Sequence, residues 1–265
     1  MMPRQKPGNL EFLVYSGVPK IRLDSLLVAR GLFQTRTKAQ AALMAGKVWI
    51  AGKPAPKAGT LVAPDVPVSV LPDAVPYVSR GGLKLAAALD KFSLRIEGRV
   101  ALDVGASTGG FTDCLLQRGA KKVYAVDVGR GQLDVKLRKD ARVVNMEKTH
   151  ARDLRPGMFP EPPDLAVIDV SFISLSKVLP HVLPCLSRPA DIVALIKPQF
   201  ELAPKKVPKG VVREEKHRLE AVEDLRRSVG GLRETGLMES PIKGPKGNVE
   251  FLWCLTAPAS GRSAP

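Results

Sequence analysis

A glycine-rich loop between a predicted strand and a predicted helix constrains this chain more than any other feature of its sequence. The segment Asp103-Val-Gly-Ala-Ser-Thr-Gly-Gly110 ends a strand predicted over residues 99–104 and precedes a helix that continues to about residue 118. Glycines let the backbone approach a ligand closely, and the first turn of a helix has unpaired N–H groups. The spacing is neither the dinucleotide motif G-x-G-x-x-G nor a Walker loop. It predicts a ligand-binding strand–loop–helix unit.

Strands and helices alternate through the rest of the chain. Short apolar runs predict strands at residues 122–128, 142–146, 165–170, 192–196 and 251–255. Helices are predicted over residues 132–139, 175–186 with breaks at Pro180 and Pro184, and 214–234. Strands that are apolar along their whole length are typical of parallel sheets buried on both faces. The alternation predicts an open α/β sheet with helices on both sides.

The first third of the chain has a different pattern, with two short helices. Leucines at helical spacing predict a first helix that ends at Gly31. A second helix is predicted over residues 37–44, where Thr37 and Gln40 have the spacing of a capping box.

Short strands complete this part of the chain. Residues 48–50 and 60–62 flank a turn and predict a small sheet, and residues 66–70 add a strand. Prolines near residues 72–76 predict a stiff connector. The predicted organisation is an N-terminal extension (1–19), a small basic α+β domain (20–71), a linker (72–78), a larger α/β domain (79–258) and a disordered tail (259–265).

The charge of the chain favours a polyanionic partner. Lys and Arg number 41 against 26 Asp and Glu, which gives a net charge of +15 at pH 7. Residues 1–80 contain eleven basic and four acidic residues, so this third is about twice as positive per residue as the rest. The cations expected to contact such a partner are Arg22, Arg36, Lys38, Lys47, Lys53, Lys57 and Arg80.

Cysteine and histidine usage predicts no metal site. The three cysteines form no C-x-x-C pair, and the three histidines share no ligand spacing. Unpaired cysteines are typical of a reducing cytosol, and no apolar run is long enough to span a membrane. We therefore expect a cytoplasmic protein without a metal or a membrane partner. The sequence leaves its oligomeric state, a monomer or a weak dimer, open.

A second carboxylate follows the glycine loop at an informative distance. Asp127 ends the next strand, 24 residues after Asp103, where related folds accept hydrogen bonds from two ribose hydroxyls. Together these features resemble the class I methyltransferases, whose ligand is S-adenosylmethionine. Glu147 and Asp153 are candidates for the adenine amine, although a solvated surface carboxylate explains either equally well. The predicted cofactor-binding residues are Asp103, Gly105, Ser107, Gly109, Gly110, Phe111, Asp127, Val128, Glu147 and Asp169.

Four charged residues lie where an α/β domain does not need them for folding. Asp169 and Lys197 each close an apolar strand, Lys84 follows Ser79-Arg-Gly-Gly-Leu, and Glu250 precedes the last strand. Because the carboxyl ends of parallel strands converge on one crevice, Asp169 and Lys197 should point to the same place. A desolvated lysine beside a second cation can act as a general base.

The four residues match the K-D-K-E tetrad of the FtsJ-like RNA ribose 2'-O-methyltransferases. The strings that resemble the TlyA (haemolysin A) family are Ser79-Arg-Gly-Gly, Ile168-Asp-Val-Ser-Phe-Ile-Ser-Leu and Lys197-Pro-Gln-Phe-Glu. The small domain resembles the RNA-binding fold first seen in the fourth small-subunit ribosomal protein, through Arg22-Leu-Asp-Ser-Leu-Leu, Thr35-Arg-Thr-Lys-Ala-Gln and Gly46-Lys-Val-Trp-Ile-Ala-Gly.

This resemblance implies a fold, a reaction and a substrate. The fold is a Rossmann-like class I methyltransferase domain with a mostly parallel seven-stranded sheet, preceded by a small α+β RNA-binding domain. The reaction is methyl transfer from S-adenosylmethionine to the 2'-hydroxyl of a cytidine in ribosomal RNA of the small or large subunit. Lys197 would deprotonate or steer the hydroxyl and Asp169 would hold it, with Lys84 and Glu250 completing the network.

Other functions stay open on the sequence alone. Asp169-Val-Ser-Phe172 is a near match to the D/N/S-P-P-Y/F motif of amino-methyltransferases that act on bases, but it lacks the two prolines. A non-catalytic RNA-binding assembly factor would need no intact tetrad, and a pore-forming haemolysin would need a membrane-inserting segment. The linker beside Ser79 and Lys84 suggests a further hypothesis, that RNA contact and cofactor binding are coupled through it.

Overall fold

The computed structural model describes residues 19–33, 35–44, 46–70 and 76–259. The chain divides into two compact units, residues 1–74 and residues 75–265. Most of the predicted N-terminal extension, most of the predicted tail and the first part of the predicted linker lie outside the described residues.

The first unit consists of short elements around a small apolar core. In the part of this unit that the structure describes, the elements are β1 (Ile21–Arg22), α1 (Leu23–Ala29), α2 (Arg36–Met44), β2 (Val48–Ile50), β3 (Lys53–Pro54), β4 (Leu61–Val62) and β5 (Val68–Val70). Strand β1 pairs with β4, and β2 pairs with both β3 and β5, all antiparallel. The core contains Leu23 and Leu27 from α1, Ala39 from α2 and Val48 from β2.

The N-terminus of α2 differs from the prediction. The helix begins at Arg36, and the hydroxyl Oγ1 of Thr35 accepts a hydrogen bond from the Lys38 backbone N–H at 3.2 Å. The predicted capping box of Thr37 and Gln40 is therefore wrong. The Gln40 side chain instead donates a 2.7 Å hydrogen bond to Asp24, a partner that sequence spacing within the helix does not reveal.

The strand pairing of the small domain also differs from the prediction. Residues 48–50 and 60–62 were expected to share a sheet, but β2 and β4 belong to different sheets. Left-handed backbone at Ala51 (φ 46°) and Gly52 (φ 75°) turns the chain immediately after β2, so that β2 pairs with the adjacent β3. Strand β4 is then free to pair with β1.

The second unit is the predicted α/β domain. Its described elements are α3 (Gly81–Lys91), β6 (Val100–Val104), α4 (Gly110–Gln117), β7 (Lys122–Asp127), α5 (Val135–Arg138), β8 (Val143–Glu147), β9 (Leu165–Ile168), α6 (Leu175–Val182), β10 (Ala190–Ile196), α7 (Pro198–Glu201), α8 (Glu215–Ser228), β11 (Arg233–Glu239) and β12 (Phe251–Ala257). They form one seven-stranded sheet in the order β11-β12-β10-β9-β6-β7-β8. Five neighbouring strands are parallel, and β12 runs antiparallel to β10 and β11. The predicted mostly parallel seven-stranded Rossmann-like sheet is confirmed.

Apolar side chains cover both faces of this sheet. Along β6, Leu102 and Val104 belong to one core cluster together with residues of α6 and α8. Ala101 belongs to a second cluster with residues of α3, α4 and α5 on the other face. This alternation follows from the two-residue period of a strand, and burial on both faces explains why β9 and β10 are almost wholly apolar.

The helices of this domain differ from the predictions in several places. Helix α8 ends at Ser228 rather than at residue 234, because Gly230 and Gly231 (φ 76°) follow it and the chain then enters β11. Pro180 lies inside α6 and does not break it, since burial of the leucine and valine stripe of this helix outweighs the missing hydrogen bond. Helices α3 and α7 were not among the predicted helices.

Candidate active site

A cleft of about 400 Å³ opens at the carboxyl ends of the parallel strands in the second unit. It receives residues from the glycine loop, from helix α3 and from the ends of β9 and β10. The lining residues are Ser79, Arg80, Gly81, Lys84, Gly105, Ala106, Ser107, Thr108, Gly110, Phe111, Asp169, Lys197, Ile242, Lys243, Gly244 and Glu250. All four residues of the predicted tetrad therefore face one cleft together with much of the glycine loop.

Strand register brings the tetrad together. Ile196 of β10 is opposite Phe251 of β12, so the neighbouring Lys197 and Glu250 lie side by side at the sheet edge. In the same way, Ile168 of β9 is opposite residue 194 of β10, so that Asp169, which follows β9, lies at the same cleft.

The tetrad forms two ion pairs in the cleft. The Lys84 ammonium lies 2.5 Å from Glu250 Oε2, and the Lys197 ammonium lies 2.6 Å from Asp169 Oδ1. Lys197 Nζ also donates to the Ser171 hydroxyl at 2.9 Å. The Lys84 and Glu250 side chains are 11% and 0% exposed, so removing either one would leave the other as an uncompensated buried charge.

Two glycines allow the backbone to pass close to this constellation. A Cβ atom at Gly105 would lie 2.3 Å from the Asp169 carbonyl oxygen, and the residue has a φ of +90°. A Cβ atom at Gly110 would lie 2.2 Å from Ser79 Oγ. The glycine loop therefore lies directly against Asp169 and the start of α3 because neither glycine has a side chain.

Asp103 lies behind the cleft and is completely buried. Its Oδ2 accepts a 2.6 Å hydrogen bond from the Thr112 hydroxyl, while Oδ1 has no hydrogen-bond partner among the described residues. The pKa of this carboxyl is raised to about 7, mainly by burial; the Thr112 hydrogen bond opposes this shift and the negative charge of Asp169 adds to it. Asp103 can therefore change its charge near neutral pH.

Asp127 and Glu147 lie opposite each other at the ends of β7 and β8, next to the cleft. Asp127 accepts hydrogen bonds from the Ser107 N–H at 2.8 Å and the Gly129 N–H at 2.7 Å, which ties the glycine loop to β7. Backbone N–H donors, first that of Gly131, lower the pKa of Glu147. Both carboxylates are thus held beside the loop by backbone donors, although neither lines the cleft itself.

The remaining predicted cofactor residues have different surroundings. Gly109 makes room for α5, since a Cβ atom there would lie 2.1 Å from Leu137 Cδ1. Phe111 is buried at the cleft wall, whereas Val128 is 60% exposed just after β7. Asp153 is exposed in a 3-10 turn, close to Arg152. Gly109 therefore has a packing role that its place in the loop did not reveal.

The loop that carries Lys243 and Gly244 was not predicted to belong to the site. A Cβ atom at Gly244 would lie 2.0 Å from Glu250 Oε1, so only glycine leaves that carboxylate its place. The Gly244 N–H donates to the Asn248 carbonyl at 2.8 Å, and the Ser240 N–H donates to the Glu250 carbonyl at 2.8 Å. Two glycines within residues 244–247, just before the predicted last strand, were the available signal.

Two positively charged residues of the cleft wall form no ion pair with another described residue. Lys84 and Lys197 are each paired with a carboxylate, but the side chains of Arg80 and Lys243 have no ion pair within the described part of the chain. An anionic group is therefore the ligand that these two cations favour at the mouth of the cleft.

The end of the predicted linker is fastened to helix α4. The Val78 N–H donates to Asp113 Oδ2 at 2.8 Å, and Gln117 Nε2 donates to the Pro76 carbonyl at 2.7 Å. Tyr77 packs over Gly82, where a Cβ atom would approach its ring to 2.3 Å. Helix α4 begins at the glycine loop, and its first turn faces the cleft. Residues 76–78 therefore contact the same helix that forms part of the cleft wall.

Two of the predicted RNA-binding cations in the first unit share an acidic partner. Arg22 and Arg36 both contact the buried Asp24, and about half of each arginine side chain is exposed. Three lysines, at positions 38, 53 and 57, are exposed, and Lys47 is half-buried.

Phe172 is the most exposed large apolar residue among those described. Its side chain is 90% exposed, its φ is +65°, and its ring centre lies 4.9 Å from that of Phe200. A left-handed conformation is rare for a bulky residue. Phe172 lies three residues after Asp169, and its partner Phe200 lies three residues after Lys197. An exposed ring at this place favours an aromatic contact to a ligand outside the cleft.

The sheet order, the glycine loop and the lysine–carboxylate pairs define a class I methyltransferase preceded by a small basic domain. Comparison with known families agrees, since the FtsJ-like methyltransferase model matches residues 77–257 and the S4 domain model matches residues 21–68. The chain belongs to the TlyA family of FtsJ-like methyltransferases.

Curated relatives and a solved structure support this assignment. The chain is 48% identical over 242 residues to the 16S/23S rRNA (cytidine-2'-O)-methyltransferase TlyA of Mycobacterium tuberculosis, covering 89% of this chain and 90% of the relative. It is 42% identical over 236 residues to Hemolysin A of Brachyspira hyodysenteriae, covering 88% and 98%. The solved "Putative hemolysin from Streptococcus thermophilus" is 44% identical and superposes with a TM-score of 0.73, covering 92% of this chain and 90% of that one.

The haemolysin names of some relatives raise the question of a membrane segment. None of the helices in residues 19–33, 35–44, 46–70 and 76–259 is long and apolar enough to cross a bilayer.

Proposed function

We propose that this protein transfers a methyl group from S-adenosylmethionine to the ribose 2'-hydroxyl of a cytidine in ribosomal RNA of the small subunit, the large subunit or both. The observation that carries the proposal is the pair of lysine–carboxylate contacts, Lys84–Glu250 at 2.5 Å and Lys197–Asp169 at 2.6 Å, in one cleft beside the glycine loop. The names of the relatives, which are rRNA (cytidine-2'-O)-methyltransferases, agree with this reaction.

The residues around the cleft fit the proposed cofactor. A volume of about 400 Å³ is within the range of small-molecule sites, and one wall is a glycine loop that ends in the N-terminus of α4. Asp127 and Glu147 at the loop's flank would bind the ribose and the adenine, with Val128 against the ring, and Gly105, Ser107, Gly110 and Phe111 would line the methionine part. When bound, S-adenosylmethionine supplies a methyl group on a positively charged sulfur.

The chain's own residues would position the hydroxyl and handle its proton. During transfer the ribose oxygen would form a bond to the methyl carbon as the bond between that carbon and the cofactor sulfur breaks, and the hydroxyl proton would pass to Lys197 Nζ, which accepts it as a neutral amine. Asp169 and Ser171 hold that nitrogen in place, at 2.6 Å and 2.9 Å. Lys84 and Glu250 form the second ion pair in the same cleft, next to Lys197. Catalysis would then come mostly from positioning in a site that excludes water.

The two units would divide the work. Residues 20–71, with their exposed arginines and lysines, would bind the phosphate backbone of folded RNA, and residues 79–258 would carry out methyl transfer. Contacts to phosphates do not read sequence, so we expect this domain to recognise RNA shape. Arg80 and Lys243, unpaired within the described chain, would bind anionic groups close to the reacting nucleotide.

A second candidate function is supported by Phe172. An aromatic ring that is 90% exposed and follows Asp169-Val-Ser is also what an amino-methyltransferase acting on a base would need. The two-proline segment of that class is absent, and such a reaction has no use for the Lys197 and Glu250 arrangement. We therefore rank ribose methylation first.

Cofactor binding and transfer can be tested separately. Titration calorimetry should show binding of S-adenosylmethionine and its loss in an Asp127→Ala variant. Radiolabelled methyl groups should then appear in the RNA of purified ribosomal subunits that lack the modification. Cofactor binding without transfer to either subunit would support an assembly factor and contradict the proposed reaction.

A further inference from the structure

Asp24 is the only fully buried carboxylate among the described residues of the first unit. We propose that it is a positioning residue, which holds Arg22 and Arg36 in the orientation in which they bind RNA phosphates. The proposal rests on the proposed function, since it takes the first unit to be the RNA-binding domain. Asp24 itself would not contact RNA, because none of its surface is exposed.

Both carboxylate oxygens of Asp24 are saturated with donors. Oδ1 accepts from Arg22 Nε at 3.1 Å and from the Ser25 N–H at 2.9 Å. Oδ2 accepts from one guanidinium nitrogen of Arg22 at 2.9 Å, one of Arg36 at 3.1 Å, and Gln40 Nε2 at 2.7 Å. Asp24 thus binds the Arg22 guanidinium through two of its nitrogens and joins it to an arginine of the second helix.

The contacts with Asp24 leave part of each guanidinium facing solvent. The Arg22 and Arg36 side chains are 48% and 55% exposed, and their remaining N–H groups have no hydrogen-bond partner among the described residues. A Cβ atom at Gly59 would lie 3.2 Å from Arg22 NH1, so the absence of a side chain there leaves room for that guanidinium. Asp24 holds one edge of each planar guanidinium and leaves another edge open to a phosphate. An arginine held in this way loses less side-chain freedom on binding RNA than a mobile arginine does.

The charge of Asp24 argues against a simple electrostatic role for this cluster. Hydrogen bonds, first those from Arg22, hold the pKa of Asp24 well below its usual range, so it stays negative at physiological pH. That charge offsets one of the two arginines and should weaken attraction to RNA. If Asp24 helps RNA binding, it does so through geometry. The two roles predict opposite effects when the charge is removed.

The test compares two variants of the full-length protein, each of which removes one negative charge. Asp24→Asn removes the buried carboxylate, and Asp65→Asn removes an exposed carboxylate of the same unit. Binding to purified ribosomal subunits is measured across a series of salt concentrations. We expect Asp65→Asn to bind as tightly as the unmodified protein or slightly tighter, and Asp24→Asn to bind about tenfold more weakly.

Further measurements separate positioning from loss of folding. Asp24→Asn should keep kcat for methyl transfer at saturating RNA and raise only KM, and its S-adenosylmethionine affinity should be unchanged. If Asp24→Asn does not fold, Arg22→Lys and Arg36→Lys take its place, since they keep the charge but lose the planar fork, and weaker binding is again expected.

The outcomes distinguish this proposal from the proposed function. If Asp24→Asn binds as tightly as the unmodified protein or more tightly, the positioning role is overturned and the methyltransferase assignment stays intact. If Asp24→Asn does not fold, the same result for both Arg22→Lys and Arg36→Lys has the same meaning. Failure of the unmodified protein to bind either subunit would instead contradict the proposed RNA substrate, and the role of Asp24 with it.

Discussion

The Lys197 ammonium lies 2.6 Å from Asp169 Oδ1, although 28 residues separate the two in the chain. Adjacent parallel strands bring them together, since β9 and β10 end at the same edge of the sheet. The contact leaves the lysine aimed into the cleft beside Ser171. This geometry places Lys197 where it can act on a substrate hydroxyl in the proposed reaction.

Replacing Lys197 should stop the reaction without preventing cofactor binding. For Lys197→Ala we expect kcat to fall by about 100-fold or more, the usual contribution of a positioned acid–base group. The affinity for S-adenosylmethionine, measured by calorimetry, should change little. Lys177→Ala, which alters an exposed lysine of α6, serves as the matched control and should keep full activity. A Lys197→Ala variant with normal kcat would contradict the assigned role.

The buried pair of Lys84 and Glu250 should show strong coupling in stability. Removing one partner leaves a buried charge uncompensated, so we expect Lys84→Met and Glu250→Gln each to lower the free energy of unfolding by about 3 kcal/mol. The double variant should lose much less than the sum of the two. Urea denaturation of the four proteins gives the coupling energy, and additive losses would show that the 2.5 Å contact contributes little.

Gly105 should tolerate no side chain, because a Cβ atom would meet the Asp169 carbonyl. Gly105→Ala is expected to displace the end of β9 and to lower kcat/KM for methyl transfer by about 100-fold. Gly98→Ala is a matched control, since Gly98 also has a positive φ (+75°) but no atom within 4 Å of the added Cβ. It should cost only about 1–2 kcal/mol of backbone strain. Equal activity of the two variants would contradict the close approach seen at Gly105.

The buried Asp103 should make stability depend on pH. Its pKa of about 7 in the folded protein is above the unfolded value, so the native state binds more protons and stability falls as pH rises from about 4 to 7. Asp103→Asn removes this effect. As the pH rises across that range, the free energy of unfolding of the variant should therefore increase relative to that of the unmodified protein by up to about 4 kcal/mol. A difference between Asp103→Asn and the unmodified protein that stays constant over this pH range would mean that burial does not raise this pKa.

The larger domain was predictable because its signals are local. Buried parallel strands are continuous apolar runs, and the glycine loop marks the first strand–helix junction, so Asp103 and the end of β9 were placed correctly in the fold. The errors arose where tertiary contacts override local preference. Pro180 stays inside α6 because the helix packs on the sheet, and Gln40 binds Asp24 across two helices rather than capping its own.

The site was predictable only in part. Topology alone indicates that Asp169 and Lys197 converge, since both follow parallel strands. Which lysine pairs with which acid depends on strand register and on α3, so the Lys84–Glu250 contact could not be read from spacing. The loop at Lys243 and Gly244 has no periodic pattern that could be recognised in the sequence. Its part in the site follows from the structure, where the Glu250 carboxylate occupies the space that a Cβ atom at Gly244 would fill.

The most direct test of the account is to locate the transferred methyl group. Unmethylated ribosomal subunits would be incubated with the protein and labelled S-adenosylmethionine, and the RNA would be digested to nucleosides for mass spectrometry and treated with alkali in parallel. A 2'-O-methyl group removes the hydroxyl that attacks the neighbouring phosphodiester, so the account predicts methylated cytidine with the label on ribose and an alkali-resistant dinucleotide. Label on the cytosine base, with normal alkaline cleavage, would contradict it.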